Sequence, residues 1–86
     1  ENLLIKLQRL IKEDYVITPD AQVEALEQVR MLSEALQIRS KLFEKKQVKF
    51  HTRLLRGILA EKPTSTSLSF EVNEILADIY RLCNLN

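Results

Sequence analysis

KLFEKKQVKFHTRLLRGILAEKP, residues 41–63, gathers most of the chain's positive charge around two phenylalanines and the single histidine. At about 100° per residue this stretch separates into two sides. Lys45, Lys49, Arg53 and Arg56 fall within about 80° of one another, with Lys46 at the edge. Phe43, Phe50, Leu54 and Ile58 lie opposite, and Val48, Leu55 and Leu59 widen that apolar side. Only Leu42 sits among the bases. A helical period sustained this long and closed by Pro63 predicts an amphipathic helix from about residue 40 to 61.

The rest of the chain follows from that element. One glycine and two prolines in 86 residues are too few for the turns of a sheet protein, so a few long helices are expected. With 45% hydrophobic and 29% charged residues the chain is globular rather than disordered. Its length allows one domain with one modest core.

Upstream, Leu3, Leu4, Leu7, Leu10 and Ile11 recur at helical spacing and predict a helix over residues 2–13. Tyr15, Val16 and Ile17 form an extended connector that tucks Val16 or Ile17 against the core. Thr18-Pro19-Asp20 is a start signal for a helix over 19–37. The threonine can cap, proline suits the first position because its missing N–H has no partner there, and aspartate complements the positive dipole end. Ala25, Val29, Leu32 and Leu36, with Leu26, form its inner face, and Glu24, Glu27 and Glu34 face away. After the TSTS linker a last helix is expected over 68–84, capped by Ser67 or Ser69, with Glu71 in its first turn. Val72, Ile75, Leu76, Ile79, Leu82 and Cys83 face inward there. The expected fold is all-α: a small four-helix bundle, up-and-down or a compact array.

Catalytic constellations are thin. His51 is alone, without HxxE or HxxxH spacing, and reads as a boundary or core histidine. The serines lie in no nucleophile elbow, and one glycine makes no phosphate loop. The pairs Glu24–Glu27 and Glu71–Glu74 lack the ExxH partners of a di-metal bundle site. No enzyme activity, cofactor or metal is expected. Cys83 cannot close an internal disulfide and reads as a small buried hydrophobe. Tyr15 and Tyr80 read as aromatics at the core edge with wet hydroxyls. Gly57 lies near the boundary of the two faces, where a close helix crossing or a ligand contact would explain it. No apolar run is long enough to span a membrane, and a cytoplasmic location is expected. The start at Glu1 suggests a fragment or a processed form.

TPDAQVEALEQVRMLSEA and the later LLRGILAEKP, within residues 18–63, resemble a short helical module attached to cyanobacterial pentapeptide-repeat and multidomain signalling proteins. After Ala35 the chain departs from that pattern, running ALQIRSKLFEKK where the module tends to place glycine or asparagine. Whether the second and third helices break or merge near Ile38 is thereby open. The resemblance implies an accessory or adaptor domain of a larger protein, and no catalytic residue.

Charge is distributed unevenly. Residues 39–62 hold eight Lys or Arg against Glu44 and Glu61, in a chain whose net charge is +1. The third helix is therefore a basic rod in an otherwise acidic domain. Its stripe admits four readings. It can be a solvated face partly paired with the acidic second and fourth helices, or a surface for an acidic protein, another copy included. Anionic lipid would compete for the apolar face the core needs. Nucleic acid would call for a broader basic excess than a pI near 8.2. The expected function is a protein-interaction or oligomerisation module with a protein partner or itself, a homodimer included. Lys45, Lys46, Lys49, Arg53 and Arg56 are its partner-binding residues. The alternative is a nucleic-acid-binding module using the same stripe.

Overall fold

The computed structural model describes residues 2–37 and 41–85, with residues 41–44 in their backbone alone. Four helices follow one another: α1 over Leu3–Glu13, α2 over Pro19–Gln37, α3 over Lys41–Glu61 and α4 over Thr66–Leu82. Each packs on its neighbours in the cycle α1–α2–α3–α4, so α1 faces α3, and α2 faces α4, only across the core.

Contacts at the two ends fix the directions. The Gln22 side-chain amide donates to the Ile11 and Lys12 carbonyls, at 3.2 and 3.1 Å, so α2 begins beside the end of α1. Asp14, after α1, binds Ser65, before α4, so the first and third connections share one end. At the opposite end Ala35 and Leu36 of α2, Lys45 of α3 and Cys83 at the foot of α4 line one cleft. The bundle therefore runs up and down. Its 37 Å long axis is close to the span of α3 at about 1.5 Å per residue, as for helices lying side by side.

Local chemistry sets the boundaries. Asn2 caps α1, its Oδ1 accepting the Leu4 N–H at 2.7 Å. Thr18 acts as expected on α2, its hydroxyl accepting the Ala21 N–H at 3.3 Å. The expected start of α4 is corrected. Ser65, rather than Ser67 or Ser69, is the cap and accepts the Leu68 N–H at 3.1 Å, which leaves Glu71 beyond the first turn. Ser65 wins because its hydroxyl also donates to Asp14 across the chain, an offer the later serines do not have. Beyond Leu82 the helix closes in a Schellman turn. Asn84 takes a positive φ of 56°, its N–H donates to the Arg81 carbonyl, and the Leu85 N–H donates to that of Tyr80 at 2.9 Å. Leu85 folds back and is buried.

Leu7, Ile11, Ile17, Ala21, Ala25, Val29, Leu32 and Ala35 fill the core from the first half. Val48, Leu55, Leu59, Leu68, Val72, Ile75, Leu76 and Ile79 fill it from the second. Of the connector, Ile17 enters the core, Val16 stays exposed, and Tyr15, expected at the core edge, is 91% exposed. Tyr80 does sit at that edge, and Cys83 is a half-buried free thiol packed against the core. Leu82, expected inside, is instead 75% exposed, while Ile79 before it and Leu85 after it are buried. The question of a break near Ile38 falls outside the described residues, although α2 and α3 are separate helices lying side by side.

Candidate protein-interaction surface

The outer surface of α3 is built by a rotation the sequence did not specify. Val48, Thr52, Leu55 and Leu59 point into the core, all 5% exposed or less. Phe50 and Leu54, expected on the core side, remain 51% and 38% exposed. Phe43 shares their row by spacing, but its side chain lies outside the described residues. Apolar residues on α3 occupy an arc wider than the stripe of about 100° that a bundle helix buries. The groove between α2 and α4 took one edge of that arc and left the other in water.

Two contacts anchor this orientation. The His51 Nδ1 lies 2.8 Å from the Gln28 Oε1, tying α3 to α2. The His51 ring also meets Phe50 edge-on, with centroids 5.1 Å apart, so it is the boundary histidine expected. On the other side the Arg56 guanidinium stands 5.6 Å from the centre of the Tyr80 ring on α4.

The five expected partner-binding residues therefore divide. Lys46, Lys49 and Arg53 are exposed along the outer surface, beside Phe50. Arg56 is also exposed but engages Tyr80 within the bundle. Lys45 turns towards the far end, where it lines a cleft of about 330 Å³ with Leu36, Val48, Cys83 and Leu85. That lining is mostly apolar, with Lys45, Cys83 and Asn84 as its polar groups among the described residues.

Charges elsewhere are satisfied locally. Among the described residues every ion pair lies within one helix: Arg9–Glu13, Arg30 with Glu27 and Glu34, and Arg81–Asp78. Hydrogen bonding to Arg30 holds the Glu27 carboxyl below its ordinary range, and Glu27 in turn holds Arg30 high. None of these pairs links α3 to α2 or α4, and Lys46, Lys49 and Arg53 have no ion-pair partner among the described residues.

The strongest polar knot is at one end. Asp14 accepts from the Val16 and Ile17 N–H groups, and from both the N–H and the hydroxyl of Ser65. Partial burial works to raise its pKa, but the hydrogen bonds from Ser65, Ile17 and Val16 outweigh it and hold the carboxyl below the ordinary aspartate value. The sequence did hold a signal for this knot, an aspartate just past the helix end and a serine run before another helix. The pairing spans two connections and is visible only once the helices are stacked.

Gly57 faces open space, with nothing within 4 Å of where a Cβ would stand, so no close helix crossing within the bundle requires it. Thr52 is the buried polar residue of α3, and its hydroxyl has no hydrogen-bond partner. Among the described residues no group of His, Cys, Asp and Glu is placed to hold a metal ion, and no helix is long and apolar enough to cross a membrane. Compared with models of protein families, with curated proteins and with solved structures, the chain has no significant match in any of the three.

Proposed function

We propose that the chain is a non-enzymatic protein-interaction or oligomerisation module in which the basic stripe of α3 meets an acidic partner surface. One observation carries this reading. Lys46, Lys49 and Arg53 stand exposed beside the half-exposed Phe50, and none of the three has an ion-pair partner among the described residues. A solvated stripe paired with α2 and α4 would show cross-helix pairs. An exposed aromatic flanked by cations supplies both parts of a protein-binding patch, contact area and orientation. The resemblance to an accessory module fits such a role within a larger cytoplasmic protein.

Fluorescence anisotropy with a labelled, Glu-rich amphipathic helical peptide tests it, alongside duplex and single-stranded oligonucleotides. The peptide is expected to bind, to weaken as salt rises, and to lose at least about tenfold in affinity when Lys49 and Arg53 are both changed to Glu. Peptide binding indifferent to that charge reversal would overturn the proposal. Preference for the oligonucleotides, with a steep salt slope, would replace it with nucleic-acid binding.

A further inference from the structure

Contacts around α3 fix three directions: Leu55 inward, His51 towards α2 and Arg56 towards α4. At about 100° per residue, Leu54 and then Phe50 lie outward on the α2 side, while Lys46, Arg53 and Lys49 lie on the α4 side. Gly57 falls between the two groups. On α2, Gln28 marks the direction of α3. The same rotation places Glu24, and then Asp20, Glu27 and Glu34, progressively outward on that flank. Arg30, which pairs with Glu27 and Glu34, lies beyond them, so the row keeps a net negative charge. Read across its width, the joint α2–α3 face is an acidic row, an apolar row and a basic row.

Such a face complements itself under one operation. A two-fold axis parallel to the helices sets each copy's acidic row against the other's basic row, and the apolar row on its own equivalent. An axis running across the helices would oppose acid to acid. Heights agree as well. The Gln28–His51 contact levels α2 with antiparallel α3, so Glu24 and Glu27 stand within about one turn of Arg53 and Lys49. An axis along the helices leaves heights unchanged, and these same side chains would then oppose one another between copies. Gly57, two turns from Phe50, would let two α3 helices approach closely, which nothing inside one copy asks of it.

Resting on the interaction reading above, we propose that the acidic partner is a second copy of this chain, docked over the α2–α3 face in a two-fold dimer whose axis runs along the helices. Closed two-fold contacts of this kind are self-limiting. Phe50 and Leu54 supply the dry centre, and the two charged seams fix the alignment and speed the encounter.

Sedimentation equilibrium of the whole chain with Cys83→Ser is the first test, at low and moderate salt. A dimer that weakens as salt rises is expected. Lys49→Glu with Arg53→Glu, or Glu24→Lys with Glu27→Lys, should each weaken self-association at least about tenfold, with circular dichroism checking that helicity is kept. An equimolar mixture of the two double variants should restore the dimer, because both seams are then opposite in sign again. Phe50→Cys in the same background should oxidise to a disulfide between equivalent positions, which only an axis passing near that row allows.

A mixture that stays monomeric, or double variants that still dimerise, would overturn the proposal. Species that keep growing beyond a dimer would also overturn it, pointing instead to head-to-tail docking through exposed Phe70 and Glu74 of α4. A wild-type monomer that nevertheless binds the acidic peptide would refute the second copy and leave the interaction module standing. A monomer that binds no acidic peptide would remove both.

Discussion

Leu54 and Leu55 are neighbours in sequence, identical in chemistry, and opposite in fate. Leu55 is fully buried at the centre of the bundle, whereas Leu54 is 38% exposed on its outer surface. The same contrast divides α3 as a whole into an inward row of Val48, Thr52, Leu55 and Leu59 and an outward row of Phe50, Leu54 and Gly57. The outward row holds the larger side chain, yet the inward row, with a threonine in it, forms the core. Hydrophobicity drives burial but does not select which edge of a broad apolar arc is buried. Shape selects it: the groove between α2 and α4 takes up the branched side chains of Val48, Thr52, Leu55 and Leu59.

The largest effect should come from breaking the inward row. Leu55→Ala is expected to cost about 2–5 kcal/mol, through lost transfer energy and the cavity left behind. Leu54→Ala should cost less than about 1 kcal/mol under conditions where the chain is monomeric. Urea unfolding of the pair measures the difference directly, and equal costs would refute the orientation of α3.

Next comes the knot that holds one end of both helix hairpins in place. Asp14→Ala removes the acceptor for four donors and should cost about 1–3 kcal/mol. The carboxyl titrates lower in the folded chain than in the unfolded one. Its stabilisation is therefore complete above the ordinary aspartate pKa and is lost as pH falls through the depressed value. Wild-type stability should decline on acidification below about pH 4, and the Asp14→Ala variant should lose that part of the slope. Thermal melts between neutral and acid pH compare the two.

A smaller change sharpens the inward row. Thr52→Val replaces a buried hydroxyl that has no partner with a methyl of like shape and should stabilise the chain by about 1 kcal/mol. A loss of stability would show that the hydroxyl is satisfied in solution.

The smallest effect is on the outward row. Gly57→Ala meets open space within one copy and should stabilise the monomer by about 0.5–1 kcal/mol through helix propensity. If α3 pairs with a second α3, the same substitution should weaken the dimer, so stability and self-association move in opposite directions.

Much of this architecture was legible in the sequence because it rests on short-range physics. Period, scarce turn residues and the Thr18-Pro19-Asp20 start placed α2 over residues 19–37, as observed. Pro63 marked the end of α3 for the same reason, since a proline cannot continue a helix from that side. The start of α4 was misplaced by two residues because three serines compete within five positions. The choice among them depends on Asp14, far away in the chain. Of the candidate surface, the identity of the basic residues was legible, and their division was not. Arg56 is drawn off by Tyr80, and Lys45 by the cleft at the far end.

By itself, then, the sequence determined four amphipathic helices, their order and the sign of charge each one carries, because these depend on spacing and composition within a single turn or two. Only the tertiary structure decided which edge of α3 is core and which is surface, and that Asp14 ties two distant connections together. The reason is physical: both depend on what the neighbouring helices present, and a helix read alone has no neighbours.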